Sequence, residues 1–156
     1  GIRSHTITTG SACHLDARLV DRALHHAPTT HCDVFFIENV GNLVCPAIYD
    51  LGQAVNVVAL SVTEGEDKPL KYPVMFQKAD LVLLTKVDLL PHLSFDVAAV
   101  KDALSRVMPD PQMIAVSATT GEGIPAWLDW LAARRPPRPN SAPHAHAHAH
   151  EDHGHG

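Results

Sequence analysis

The chain has 156 residues, of which 46% are hydrophobic and 19% charged, and this composition predicts one folded domain with a hydrophobic core. Its formal net charge is −5 and no basic stripe is present, which argues against nucleic acid and against a membrane as partners. Three cysteines without disulfide-framework spacing, no signal peptide and no apolar run of membrane-spanning length indicate a reducing cytoplasmic setting.

The first elements are read from apolar spacing. Residues 5–8 alternate weakly and predict a short strand. From Leu15 the apolar residues recur at helical spacing until Pro28, which predicts a helix. Residues 32–37, CDVFFI, form a continuous apolar run typical of a strand buried on both faces of a parallel sheet. This interpretation places Cys32 in the core.

Further strands and helices alternate along the rest of the chain. Residues 55–62, 81–84 and 113–116 predict three more apolar strands, and residues 68–78 predict a loop with a short helix. Ser94 is the predicted N-cap of an amphipathic helix. The closing amphipathic helix is predicted at residues 124–133. Together these elements indicate an α/β fold with a mostly parallel sheet flanked by helices.

A change in composition near residue 135 separates a domain at 1–134 from a proline-rich linker and tail at 135–156, which we expect to be disordered without metal. The histidine-rich tail could be an engineered purification tag, but its interleaved alanines and EDHGHG ending favour a native segment. Imidazole binds Ni²⁺, Cu²⁺ and Zn²⁺. We therefore expect several weak, exchangeable metal sites on the tail histidines, which are His144, His146, His148, His150, His153 and His155.

A guanine-reading motif is predicted at two strand ends, where ligands bind in α/β proteins. Residues 85–88, TKVD, place a carboxylate at Asp88 that can accept from the N1–H and the amine of guanine, a donor pair that adenine lacks. The stem of Lys86 can lie over the purine. Ser117 and Ala118 follow the next strand, where a backbone N–H can reach the guanine carbonyl. Either motif alone could be a polar loop, but the ordered pair favours guanine.

A third strand end carries Glu38 and Gly41. Glu38 can organise Mg²⁺ and water, and the N–H of Gly41 can meet a terminal phosphate, although a strand-end cap would explain both residues as well. No G-x-x-x-x-G-K-S/T motif occurs in the sequence. We therefore expect the C-terminal portion of a GTPase, without GTP turnover by these residues alone.

A metal site is suggested by Cys13 and His14, in the loop that enters the first helix, and by Cys45. A helix N-terminus favours the thiolate, and two sulfurs with one imidazole suit Zn²⁺ or Ni²⁺. The spacing is not that of a zinc finger. Two buried cysteines and a surface histidine therefore stay open as the alternative.

These residues fall in four segments that together resemble the hydrogenase nickel-incorporation GTPases, HypB, over about residues 6–131. The segments read TTGSACHLDARLVDRAL, DVFFIENVGNLVCPAIYDLG, LLTKVDLLPHLSFDV and VSATTGEGIPAWLDWL. The resemblance implies a P-loop GTPase of the SIMIBI class that couples GTP hydrolysis to dimerisation. It also implies nickel delivery to the large subunit of a NiFe hydrogenase, together with the metallochaperone HypA.

The resemblance also implies roles for individual residues. Cys13, His14 and Cys45 match the family's metal ligands, at the face through which a homodimer forms. The guanine-specificity motif matches at Lys86 and Asp88, and the second nucleotide switch matches at the residues already assigned to Mg²⁺ and phosphate.

The chain departs from the family pattern in two ways. Thr85 stands where the family has asparagine, and histidine-rich segments in this family are usually N-terminal.

Two other functions stay open beside the nickel-incorporation GTPase. One alternative is a nickel- or zinc-binding storage or dimerisation module without enzymatic activity. The other is a urease-type accessory GTPase, which the missing Cys-Pro-His motif disfavours.

Overall fold

The computed structural model describes residues 4–10, 14–26, 32–41 and 49–135. Helices and strands alternate over this part of the chain. In chain order they are α1 Ala17–His26, β1 Val57–Ser61, α2 Lys68–Lys71, α3 Pro73–Gln77, β2 Leu81–Thr85, a 3₁₀ helix Val87–His92, α4 Val97–Val107, β3 Met113–Val116 and α5 Ile124–Ala132. Among the described residues no helix is long and apolar enough to cross a membrane.

The strands form a parallel sheet in the order β1-β2-β3. Ser61 pairs with Thr85, and Thr85 pairs with Val116, so the carboxyl ends of all three strands lie side by side. The ladder continues past the end of β1, where the Val62 N–H donates to the Thr85 carbonyl at 3.2 Å. This sheet confirms the predicted α/β fold and sets the edge on which the strand-end motifs lie.

The hydrophobic core packs α3 and α4 against one face of the sheet. Its buried members include Phe76 from α3, Val100 and Leu104 from α4, and Leu60 and Leu84 from the strands. Each fully buried side chain of this size contributes about 1.5–3 kcal/mol. The core therefore holds the central strand in place, and the strand-end loops start from a rigid base.

The α4 helix begins at a different cap from the one predicted. Asp96, not Ser94, is the N-cap, and its Oδ1 accepts from the N–H groups of Ala98 at 2.8 Å and Ala99 at 3.3 Å. A carboxylate satisfies these unpaired donors and also complements the positive end of the helix dipole. The Asp96 N–H in turn donates to Glu66 Oε1 at 2.6 Å, which ties α4 to the loop after β1.

The strand predicted within residues 32–37 does not form. Residues 34–40 are not part of the sheet, Phe36 is 63% exposed, and Cys32 is exposed rather than buried in the core. Phe36 instead lies 6.5 Å from Trp127 of α5 between ring centroids, and Asp33 pairs with Arg135. An apolar run predicts burial but does not supply a neighbouring strand, and among the described residues β1 has only β2 beside it.

Two smaller differences concern local backbone chemistry. The weak alternation at residues 5–8 gives no strand. Residues 68–78 hold two short helices rather than one, separated at Tyr72, whose φ of −127° and ψ of 54° are not helical. The next residue is Pro73, which lacks an N–H and disfavours helical geometry in the residue before it.

Gly123 provides a stability test because both its backbone conformation and the space around it require glycine. Its φ is +69°, and a Cβ at this position would lie 1.8 Å from the Ala115 carbonyl oxygen. We expect Gly123→Ala to lower the free energy of unfolding by at least about 2 kcal/mol, from backbone strain plus displacement of β3. Urea unfolding followed by tryptophan fluorescence measures the change.

Gly121 is the matched control for Gly123. Its φ is +81°, but a Cβ there would meet no atom within 4 Å. Gly121→Ala should therefore cost only the left-handed strain, about 1 kcal/mol. Equal losses in the two variants would show that the close approach to Ala115 is not a constraint.

Candidate functional site

The turn after β2 positions the first two guanine-motif residues. Lys86 has φ of 61° and ψ of 36°, and it is the only non-glycine residue with positive φ in the described ranges. This left-handed conformation starts the 3₁₀ helix that carries Asp88, and the Leu89 N–H donates to the Lys86 carbonyl at 3.0 Å. Left-handed geometry costs a side-chain-bearing residue roughly 1–2 kcal/mol, so the surrounding structure must hold the turn.

A direct hydrogen bond joins the two predicted guanine motifs. Ser117 Oγ donates to Asp88 Oδ1 at 2.6 Å, across 29 residues of sequence. The Ser117 side chain is fully buried, whereas Asp88 is partly exposed. Since a carboxylate has about four acceptor positions, this bond orients the group and still leaves both oxygens able to accept from a ligand.

The turn after β3 is organised around the same serine. Ser117 Oγ accepts from the N–H groups of Thr119 at 3.2 Å and Thr120 at 3.1 Å, and the Gly121 N–H donates to the Ser117 carbonyl at 2.9 Å. Ala118 projects from this turn and is exposed, and no hydrogen bond among the described residues uses its N–H. These bonds fix the backbone of the turn in which Ala118 follows Ser117, whose hydroxyl contacts Asp88.

Thr85 connects the loop that follows β2 to β1. Its hydroxyl donates to the Leu60 carbonyl of β1 at 3.4 Å, which is a long and therefore weak hydrogen bond. The side chain at this departure from the family pattern is thus engaged with the sheet itself.

No polar contact among the described residues joins Glu38 or Gly41 to the residues at the carboxyl ends of the strands. Both are exposed, and across the described residues no hydrogen bond or ion pair joins either of them to Lys86, Asp88 or Ser117. The Glu38 carboxylate also has no ion-pair partner in these ranges. Mg²⁺ binds through one or two carboxylates together with phosphate oxygens and water, so the assignment of Glu38 to Mg²⁺ stays a prediction.

Of the predicted metal ligands, only His14 lies in the described residues. Its ring stacks on that of Tyr49, with centroids 3.8 Å apart and planes 3° from parallel. Cys13, Cys45 and the tail histidines lie outside the described ranges. Within those ranges no group of three or more His, Cys, Asp or Glu side chains could hold a metal ion.

The sequence reasoning missed two residues that shape this region. The Tyr49 ring stacks on that of His14, and Asn39 Oδ1 accepts from the N–H of Leu15, the residue that follows His14. Asn39 lies directly after Glu38, inside the predicted second nucleotide switch. Its short amide side chain, which readily bonds to backbone N–H groups, was the available signal.

The chain belongs to the CobW/HypB/UreG family of nucleotide-binding domains, whose profile matches residues 2–115. It is 56% identical over 135 residues to hydrogenase maturation factor HypB from Azotobacter vinelandii. That alignment covers 86% of this chain but only 45% of the relative, so the chain spans less than half of the relative's length.

Two solved HypB structures share the fold. HypB from Archaeoglobus fulgidus matches with a TM-score of 0.78 and 39% identity, covering 85% of this chain and 64% of that one. HypB from Helicobacter pylori in complex with nickel matches with a TM-score of 0.79 and 40% identity, covering 83% and 62%. The predicted family resemblance and the P-loop GTPase type of fold are thereby confirmed.

Replacing Ser117 tests the hydrogen bond that connects the loops after β2 and β3. Ser117→Ala removes the donor to Asp88 and leaves the Thr119 and Thr120 N–H groups without their acceptor. We expect the free energy of unfolding to fall by about 1–3 kcal/mol. Thermal or urea unfolding measures the loss.

Ser105 supplies the matched serine control. Its hydroxyl donates to the Asp102 carbonyl at 2.7 Å on the exposed side of α4. Ser105→Ala should change stability by no more than about 0.5 kcal/mol. A Ser117→Ala variant as stable as Ser105→Ala would contradict the role given to Ser117.

Proposed function

We propose that this chain is the guanine-recognising and metal-binding portion of a nickel-handling GTPase of NiFe-hydrogenase maturation. The observation that carries the proposal is the Ser117–Asp88 hydrogen bond of 2.6 Å, which joins both guanine motifs at the carboxyl edge of the sheet. Membership of the CobW/HypB/UreG family supports it. The division into a domain at 1–134 and a linker and tail at 135–156 belongs to the same proposal.

Guanine is selected by a set of complementary polar groups. The Asp88 carboxylate accepts from the N1–H and the exocyclic amine, the Ala118 N–H donates to the ring carbonyl, and the Lys86 stem covers the purine. Adenine presents a ring acceptor where guanine has its N1–H, so Asp88 would face a lone pair and lose its partner. Prior orientation of Asp88 by Ser117 reduces the ordering cost of binding.

GTP hydrolysis is assigned to the complete protein. Glu38 would bind Mg²⁺ and orient water, and the Gly41 N–H would donate to the terminal phosphate. Bound Mg²⁺ neutralises charge that develops on the phosphate oxygens. The phosphate-loop motif is not among these 156 residues, and the chain covers 45% of the Azotobacter vinelandii relative. We therefore assign base recognition and the second switch to this chain.

The metal is cargo in this proposal, as Ni²⁺ or Zn²⁺ held by Cys13, His14 and Cys45. The Helicobacter pylori relative was solved with nickel, which supports a metal site in this family. The Tyr49 ring stacked on His14 limits rotation of the imidazole, which favours a fixed ligand geometry. The tail histidines would store additional metal.

Hydrogenase maturation also suggests partners for the complete protein. A second copy would meet this one at the metal-site face, HypA would exchange nickel with it, and the hydrogenase large subunit would receive the metal in the cytoplasm. The hydrogenase maturation role named for the relatives supports these assignments.

Asp88→Asn tests guanine recognition in a protein extended to the length of the relatives. The new amide N–H group faces the amine of guanine but matches the C2 carbonyl of xanthine. We expect the affinity ratio of GDP to XDP to fall on the order of 10²-fold. Competition binding with a fluorescent nucleotide measures this ratio.

Asp102→Asn is the control for the Asp88 variant, because Asp102 lies on the exposed surface of α4 in an ion pair with Arg106. It should leave the nucleotide ratio unchanged. If Asp88→Asn also leaves the ratio unchanged, the assignment of guanine recognition to Asp88 is wrong.

Nickel titration of the 156-residue chain in a Cys32→Ser background tests the metal ligands. Thiolate-to-nickel charge-transfer absorption reports cysteine ligation and is not produced by the tail histidines. We expect this absorption to appear in the Cys32→Ser chain and to vanish when Cys13→Ser and Cys45→Ser are added to it, while weaker imidazole binding persists. An unchanged band would rule out these ligands, and a band combined with failed guanine recognition would favour a metal-storage module.

A further inference from the structure

The start of α5 lies directly against the end of β3 at Gly123. This residue is the N-cap of α5, with φ of 69° and ψ of −8°. A Cβ on it would lie 1.8 Å from the Ala115 carbonyl oxygen and 3.2 Å from Val116 Cγ1. Only a residue without a side chain allows this approach. Val116 immediately precedes Ser117, so the contact lies beside the residue that donates to Asp88.

The loop between Ser117 and Gly123 is closed by two backbone hydrogen bonds. The Ser117 N–H donates to the Glu122 carbonyl at 3.0 Å, and the Gly121 N–H donates to the Ser117 carbonyl at 2.9 Å. Glu122 is held in turn by its own N–H, which donates to Thr120 Oγ1 at 3.3 Å. The backbone of Ser117 is therefore fixed by the residue that comes directly before Gly123.

Both sides of the contact belong to regular elements. Ala115 is paired in the ladder between β2 and β3, and the Gly123 carbonyl accepts the first N–H of the α5 helical ladder. An alanine at this position would have to displace one of the two elements by on the order of 1 Å. If α5 moves, the Glu122 carbonyl withdraws from the Ser117 N–H. If β3 moves, Ser117 shifts relative to Asp88.

We propose that Gly123 is a positioning residue for guanine recognition, and this inference rests on the guanine-recognising function proposed above. By allowing α5 to approach β3, Gly123 sets the place of Ser117, whose hydroxyl orients the Asp88 carboxylate at 2.6 Å. Base selectivity depends on that orientation, because the carboxylate must meet two donors of guanine at once. Groups that are oriented beforehand need less ordering when the ligand binds.

The test is the affinity ratio of GDP to XDP, measured by competition binding in the protein extended to the length of the relatives. We expect Gly123→Ala to lower this ratio about tenfold, as for one weakened hydrogen bond to a charged group. A loss of stability alone reduces the folded fraction and lowers both affinities equally. The ratio therefore separates positioning from a purely structural role.

Gly52→Ala is the matched control, in the turn that leads into β1. Gly52 has φ of 82°, and a Cβ there would meet no atom within 4 Å. The variant introduces left-handed strain without a steric clash, so it should leave the nucleotide ratio unchanged.

Hydrogen exchange of the 156-residue chain supplies a measurement without nucleotide. The buried Val100, whose N–H donates to the Asp96 carbonyl at 3.2 Å, is the internal reference because global unfolding exposes all amides alike. Relative to the Val100 amide, the Ser117 amide should exchange about tenfold faster in Gly123→Ala than in the parent, since its acceptor is displaced.

Thr120→Val keeps the inference testable should Gly123→Ala fail to fold. It removes the acceptor of the Glu122 N–H, nearly preserves the shape of the side chain and introduces no clash at residue 123. We expect the nucleotide ratio to fall about twofold, as for one lost neutral hydrogen bond, and Ser117 exchange to rise by a similar factor. If neither changes, the loop does not position Ser117 and the inference is overturned.

The outcomes distinguish this inference from the proposed function. A Gly123→Ala protein with the parent's nucleotide ratio would overturn the role of Gly123 alone, and so would equal falls in Gly123→Ala and Gly52→Ala. Unchanged Ser117 exchange relative to Val100 would also overturn it. A parent protein that does not prefer GDP to XDP would overturn guanine recognition and this role together.

Discussion

The parallel register of the sheet is the constraint on which the rest of the structure depends. Because Ser61, Thr85 and Val116 lie at the same level, the loops that follow β2 and β3 start side by side. Side chains far apart in sequence can then meet over one hydrogen bond, as Asp88 and Ser117 do. A shift of one residue in this register would move the motif residues to the opposite face of the sheet and separate them.

The two parts of the candidate site are held by different kinds of interaction. The loops after β2 and β3 leave strands that are paired by backbone hydrogen bonds and backed by buried Phe76 and Leu104. Residues 33–41 are outside the ladder and largely exposed, and side-chain contacts attach them to α5 and to the loop before α1. Segments with few buried contacts open at low free-energy cost, so residues 33–41 are held less firmly than the loops that follow β2 and β3.

Part of the fold follows from local pattern alone. The central strands, α4 and α5 were predicted within a few residues because their apolar spacing agrees with their burial. The sequence pattern predicts Ser94 as the N-cap of α4, whereas the structure has Asp96, because several polar residues precede that helix and only geometry selects among them. The strand expected around residues 34–37 failed for another reason. Apolar residues can be read from a sequence, whereas the presence of a neighbouring strand cannot.

The sequence by itself determined the family, the strand-end position of TKVD and the following Ser117-Ala118, because these depend on residue identity and order along the chain. Only the tertiary structure decided that Ser117 bonds to Asp88, that Lys86 takes a left-handed turn, and that Asn39 reaches Leu15. Each of these requires two segments to approach within hydrogen-bond distance at a particular angle. That geometry is set by the register and packing of the whole domain, which no local pattern encodes.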